Sequence, residues 1–274
     1  MDPAQRSSDV ATPESLSEQV RPYPAASGSS TTLYRKYRPA SFDAAELVGQ
    51  NHIVRTLRNA VALNRVAHAY LFYGPRGTGK TTTARILAKA MNCLHEDVEQ
   101  RPCNVCSNCM AINNGSTPDI IEIDAASNRG IDDIRELRDR VRFAPTQLET
   151  KVYIIDEAHQ ITGAAANAFL KTLEEPPGHS VFILATTDPE ELLPTIVSRC
   201  QRYEFRRIDA DSMRQRLLSV ADAEQIAIDE EALALIARQA DDGSWNDAIC
   251  VEYGTAMACI VLQMPNNYLP IFQR

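Results

Sequence analysis

Gly74-Pro75-Arg76-Gly77-Thr78-Gly79-Lys80-Thr81 decides the reading of this sequence. It fits G-x-x-x-x-G-K-[ST] at every position. The glycines let the backbone curl so that successive N–H groups face an anion. The helix that follows adds its positive dipole end. Lys80 is suited to neutralise β- and γ-phosphates, and Thr81 to ligate Mg²⁺ through its hydroxyl. The flanks have the form the loop requires: Ala69 to Tyr73 reads as a short apolar strand and Lys80 to Met91 as a helix. The loop specifies nucleotide binding and leaves the reaction open.

Further along, Lys151-Val152-Tyr153-Ile154-Ile155 reads as a strand running into Asp156-Glu157, within KVYIIDEAH. In open α/β sheets ligands sit at the C-terminal strand ends. Asp156 is therefore suited to hold Mg²⁺, directly or through water. Glu157 is suited to orient and polarise an attacking water. A strand followed by a solvated acidic turn is common, and the phosphate loop upstream is what favours the catalytic reading.

Between and around these motifs, apolar strands alternate with helices. Ile120 to Ile123 and Val181 to Ala185 read as strands. His52 to Val66, Asp132 to Val141 and Ala164 to Glu174 read as helices, the first presenting Ile53, Leu57, Val61 and Leu63. This order predicts a parallel sheet covered on both faces. Asp211 to Ala221 and Glu230 to Ala240 read as helices of a small second domain. Residues 1–32, rich in Ser, Pro, Ala and acids, read as a disordered tail. The expected division is then 33–207 for the nucleotide-binding domain, 208–248 for a partial helical lid and 249–274 for an atypical tail.

The 274 residues are 44% hydrophobic, enough for a substantial core, and carry a net charge of −8. That excludes a globally basic nucleic-acid binder and predicts weak DNA binding by the isolated chain. No apolar run is long enough for a membrane span, and the N-terminus lacks a signal-peptide core, so a cytosolic protein is expected. Four of the seven cysteines, Cys93, Cys103, Cys106 and Cys109, crowd into a segment spanning 93–109 with spacing C-x₉-C-x₂-C-x₂-C. Four thiolates fill the tetrahedral shell of a structural zinc. An iron–sulfur cluster accepts the same set, and unliganded thiols are the remaining alternative. Cys200, Cys250 and Cys259 lack partners at metal spacing.

With these motifs in view, the sequence resembles the gamma/tau family of bacterial DNA polymerase III, the AAA+ ATPases of the sliding-clamp loader. The resemblance runs from about Tyr34 to Asp247. It rests on Tyr34-Arg35-Lys36-Tyr37-Arg38-Pro39, His68-Ala69-Tyr70-Leu71-Phe72, the phosphate loop, the four-cysteine insertion and Glu122-Ile123-Asp124-Ala125-Ala126-Ser127. Lys171-Thr172-Leu173-Glu174-Glu175-Pro176-Pro177 and Ser198-Arg199-Cys200 complete it. The resemblance implies an ATPase using ATP, Mg²⁺ and Zn²⁺ within a complex classed with DNA polymerases. The subunit itself would join no nucleotides. Implied partners are delta, delta-prime and further gamma/tau copies, the sliding clamp and primer–template DNA, with no membrane, in the replisome of the bacterial cytoplasm. Arg199 matches the arginine finger that reaches a neighbouring subunit's ATP. Thr186 matches the first sensor, with Thr187 next to it as the alternative. Tyr34, Arg38, Val48 and Gly49 match the segment that packs around the adenosine. Asn128 and Arg129 match a helix start near the DNA channel, where a DNA phosphate contact competes with an ordinary helix cap.

The pattern breaks near the end. Asn246 stands where the family carries the second-sensor arginine, and after Ala248 the resemblance stops. Family members continue into a helical collar. A change of reading frame shortly before Asn246, or a short paralogue with a divergent lid, would each account for this. A nucleotide-binding but assembly-defective product is therefore the alternative to a working motor subunit, and another AAA+ motor such as a helicase is the third reading.

Overall fold

The computed structural model describes residues 33–43, 46–127, 131–161, 163–226 and 228–241. In chain order the elements are α1 (Leu33–Lys36), α2 (Asn51–Ala62), β1 (Ala69–Tyr73), α3 (Lys80–Met91), α4 (Ser107–Asn113), β2 (Ile120–Asp124), α5 (Ile131–Val141) and β3 (Lys151–Asp156). They continue with α6 (Gly163–Glu174), β4 (Ser180–Thr186), α7 (Pro194–Val197), β5 (Gln201–Glu204), α8 (Ala210–Ala223) and α9 (Glu230–Asp241). The residues 128–130, 246 and 249–274, and with them Asn128, Arg129, Asn246 and the tail, lie outside the described residues, as does the 1–32 segment.

Successive side chains of a strand face opposite sides of its sheet. Here that alternation sorts the apolar residues into two cores. Tyr70, Phe72, Val152, Ile154, Val181 and Ile183 face one side, where they meet Leu57 of α2 and Ile86 of α3. Ala69, Leu71, Tyr153, Ile155, Phe182 and Leu184 face the other, against Leu137 of α5 and Phe169 of α6. Every residue of β4 is buried. Apolar strands covered on both faces are what a parallel sheet demands. The sheet has five strands in the order β2-β3-β4-β1-β5, and every neighbouring pair is parallel.

Helix α2 buries Ile53, Val54, Leu57 and Val61, one face at helical spacing. Each such side chain contributes roughly 1.5–3 kcal/mol when fully buried. The helix ends earlier than the periodicity suggests. Asn64 turns the chain at φ 50°, and Leu63, expected on the apolar face, is 65% exposed. Buried Asp119 fastens the approach to β3: its carboxylate accepts the backbone N–H groups of Thr146, Gln147 and Leu148. Against the burial that would raise it, those three donors hold its pKa below the usual carboxylate value. Beyond β5, Met213 and Leu217 of α8 pack on Leu233 and Ala237 of α9, a separate small core.

Strand β5 has no counterpart among the sequence-based expectations. Its residues Gln201, Arg202 and Glu204 are exposed and only Tyr203 is buried, as suits the edge strand that closes the sheet beside β1.

Candidate active site

The phosphate loop leaves β1 at Gly74 and enters α3 at Lys80. Gly74, Gly77 and Gly79 take φ values of 141°, 72° and 93°, a region that side chains disfavour. Gly79 caps α3 with no side-chain hydrogen bond, so the free N–H groups of the first turn remain available to an anion. The Lys80 ammonium, largely buried, donates to the carbonyls of Gly74 and Pro75 at 2.8 and 2.7 Å. Burial lowers its pKa, and the Glu157 and Asp156 carboxylates oppose that shift. Thr78 closes the turn through a 2.9 Å bond to the Pro75 carbonyl. Arg76 extends outward to within 3.5 Å of Glu157.

Strand β3 brings the acidic pair to the same edge. Thr81 donates its hydroxyl to Asp156 Oδ2 at 2.8 Å, so the two expected magnesium ligands are already in contact. Asp156 Oδ1 accepts the Glu157 N–H at 2.9 Å. Glu157 itself sits in the left-handed region at φ 47°, which turns the chain back over the strand end. Thr187 Oγ1 lies 3.4 Å from the Glu157 carboxylate, while its nearer acceptor is Asp188 Oδ2 at 2.6 Å. Thr186 is fully buried and lies opposite Tyr73 in the β1–β4 register. The geometry thus places Thr187 beside Glu157 and Thr186 on His159, whose Nδ1 is 2.9 Å away.

Beside the loop is a pocket lined by Tyr37, Arg38, Leu47, Val48, Met213 and Arg216, among others. Arg38 and Val48 belong to the predicted adenosine segment. Tyr34 lies in α1, and Gly49 follows Val48 at φ 76°, where a Cβ would come within 3.7 Å of Ile208. The contribution of α8 escaped the sequence reading. Arg216 donates to the Tyr37 carbonyl at 3.0 Å, and Tyr37 and Lys36 each reach Glu224 at 2.6 Å. These bonds join the segment around Tyr37 to α8 and its C-cap, a pairing across 179 to 188 residues that no local pattern announces. Arg199 lies outside the pocket, between α7 and β5. It donates to Glu174 Oε1 and the Thr195 carbonyl, both at 2.7 Å.

The cysteine module stands apart. The four sulfurs lie within 4.8 Å of one another, and those of Cys93 and Cys106 are 4.0 Å apart. Tetrahedral ligation at zinc–sulfur distances spaces sulfurs by about 3.8 Å, so the donor set fits a four-thiolate metal. Backbone N–H groups already point at the sulfurs of Cys93, Cys103 and Cys106. Against burial, the N–H groups of Cys109 and Leu94 and two neighbouring thiols bring Cys106 down to about 6. Burial pushes Cys109 and Cys93 up. Lys89 of α3 bonds both Asn104 in this module and the Ala40 carbonyl at 2.7 Å, which ties the module to the phosphate-loop helix.

A five-stranded parallel sheet, a phosphate loop after β1 and a carboxylate pair after β3 define a P-loop protein of the AAA+ class. The fold is that of the Thermotoga maritima RuvB Holliday junction branch migration motor, with a TM-score of 0.52 and 20% identity over 86% of this chain and 76% of that one. Residues 49–209, more than half of the chain, match the model of the family described as "DNA polymerase III, delta subunit", and the chain belongs to that family. The chain is 54% identical over 215 residues to DNA polymerase III subunit tau of Bacillus subtilis, covering 78% of this chain and 38% of that protein. It is 47% identical over 221 residues to subunit tau of Escherichia coli, covering 81% of this chain and 34% of that one. The chain therefore spans little more than a third of the length of these relatives.

Proposed function

We propose that this chain binds and hydrolyses ATP as a subunit of the polymerase III clamp loader, which places the sliding clamp on primed DNA during replication in the bacterial cytoplasm. The observation that carries the reading is the Thr81–Asp156 bond at 2.8 Å, with Lys80 and Glu157 beside it. A magnesium-ligating hydroxyl and carboxylate, a buried ammonium and a general base meet at one strand edge. Bound Mg²⁺ would neutralise charge on the phosphate oxygens. The loop N–H groups and Lys80 hold the phosphates, Thr81 and Asp156 hold the metal, and Glu157 takes the proton of the attacking water. Thr186, with Thr187 adjacent, is the sensor of the γ-phosphate on this reading. Arg38, Val48, Tyr37 and Met213 offer the surface for the adenosine. The domain division at 207/208 follows the separate core of α8 and α9.

Arg199 acts in trans on this reading. In the single chain it is occupied by Glu174 and Thr195 rather than by its own phosphate loop. An exposed pair of this kind is worth little, so a neighbour's phosphate can displace it. Turnover of the chain mixed with the other clamp-loader subunits, clamp and primed DNA should rise with DNA. Arg199→Ala should lower that stimulated rate by about 10³-fold with ATP affinity unchanged. A stimulated rate equal to wild type would remove Arg199 from the role.

The four cysteines hold zinc on this reading, a closed structural site with no position for substrate. The purified chain should contain one equivalent of zinc and lack the visible absorption of an iron–sulfur centre. Cys106→Ser should lose the metal and melt several degrees lower. Iron in the purified protein, or full zinc in that variant, would contradict it. The assembly-defective alternative rests on Asn246, which lies outside the described residues, and on the collar expected after Ala248, and the comparisons do not favour it.

A further inference from the structure

The buried imidazole of His159 stands between two groups that the hydrolytic reading uses, and it has no place in that reading so far. It belongs to the short turn Ala158–Gln160 after Glu157 and is 6% exposed. Its Nδ1 is 2.9 Å from Thr186 Oγ1 and 3.6 Å from Glu157 Oε2. Its Nε2 is 4.0 Å from Asp188 Oδ2.

Partner chemistry assigns the proton. An ionised carboxylate only accepts, so a bare lone pair at Nδ1 would face the Glu157 oxygen with nothing between them. A proton at Nδ1 donates to Thr186 and attracts Glu157 together, whereas among the described residues Nε2 has no partner nearer than 4.0 Å. With Nδ1 as donor, the Thr186 oxygen accepts twice: from His159 and from the Asp188 backbone N–H at 3.1 Å. A hydroxyl has two lone pairs and one hydrogen. Both lone pairs are then used, and the hydrogen is left over. It sits on a fully buried residue whose own carbonyl accepts the N–H of Gly74, the first residue of the phosphate loop, at 3.3 Å. A buried donor without an acceptor is unfavourable, and a phosphate oxygen at that edge is an acceptor. The opposite tautomer would turn the Thr186 hydrogen toward Nδ1 and leave nothing for a ligand.

We propose that His159 is a positioning residue for hydrolysis: its Nδ1–H, donated to Thr186 and facing the Glu157 carboxylate 3.6 Å away, aims the Thr186 hydroxyl as a donor to the terminal phosphate and steadies Glu157 by electrostatic attraction. This rests on the ATPase reading of the same site. Sequence alone contained the residue, as the last letter of KVYIIDEAH, but not the turn that folds it back onto β4.

The test uses the full chain with its partner subunits. Asparagine can put an amide donor near the Nδ1 position, whereas glutamine reaches toward the Nε2 position and alanine offers nothing. His159→Ala and His159→Gln should lower kcat by about tenfold to a hundredfold, with ATP affinity within about twofold of wild type. His159→Asn should recover most of the rate. Nitrogen NMR of the wild-type chain, with the His159 signals identified by their loss in His159→Asn, should show a protonated Nδ1 and a bare Nε2. A bare Nδ1, or an Asn variant as slow as Ala at equal thermal stability, overturns the proposal. A wild-type complex without turnover overturns the ATPase reading instead, and the NMR assignment still decides the tautomer.

Discussion

Glu157→Gln should bind ATP within about twofold of wild type while turnover falls by about 10²–10⁴-fold. Glutamine matches the shape of glutamate but cannot take a proton. Among the described residues, no contact of the Glu157 carboxylate involves the backbone of the phosphate loop. The contacts run to Arg76, Thr187 and His159, and glutamine can keep part of them through its carbonyl oxygen. Asp156 and Thr81 keep their own bond, so the two proposed magnesium ligands stay paired. The change does reach Lys80, whose pKa burial lowers and the Glu157 charge raises. Removing that charge leaves Asp156 as the main carboxylate supporting the ammonium, which bound phosphate then replaces. Binding of a fluorescent nucleotide and phosphate release, measured on the same preparation, separate the two effects. Turnover within a few-fold of wild type would show that Glu157 is not the base.

The same residues show how far the sequence reaches. The phosphate loop, the β3 carboxylates and the cysteine spacing are local patterns, because the chemistry fixes residue types at short intervals. The sheet was legible for the same reason: strands β1, β3 and β4 are buried on both faces and read as apolar runs. Strand β5 is an edge, and Gln201-Arg202-Tyr203-Glu204 carries one buried side chain, too little for a pattern. Leu63, expected on the apolar face of α2, is its C-cap, just before the turn at Asn64, which backbone geometry sets and apolar spacing does not record. The pocket beside the loop needs Tyr37 and Met213 at once, a meeting that depends on where α8 packs. Spacing likewise gathers four cysteines but does not say that backbone donors bring Cys106 to about 6 while burial pushes Cys109 up.

The second large effect concerns Gly74. Alanine there should destabilise the chain by about 3 kcal/mol or more and abolish nucleotide binding, whereas alanine at Gly79 should cost about 1–2 kcal/mol. Both glycines have positive φ, 141° and 93°, so backbone preference alone does not separate them. Space does. A Cβ on Gly74 would meet the Phe205 carbonyl oxygen at 2.2 Å and the Phe205 carbonyl carbon at 3.1 Å. Those are backbone atoms of the segment that continues β5, held by the 2.7 Å bond from the Phe205 N–H to Tyr73, and they cannot rotate away. Relief requires either β5 to part from β1 or the phosphate loop to lift, and each removes a wall of the site. A Cβ on Gly79 would find only the Leu47 methyl at 3.9 Å and the Thr83 hydroxyl at 4.0 Å, ordinary contacts. Thermal melts of Gly74→Ala and Gly79→Ala, with and without ATP and magnesium, measure the difference. Equal melting temperatures for the two variants would mean that the close approach of Gly74 to Phe205 does not hold the loop in place.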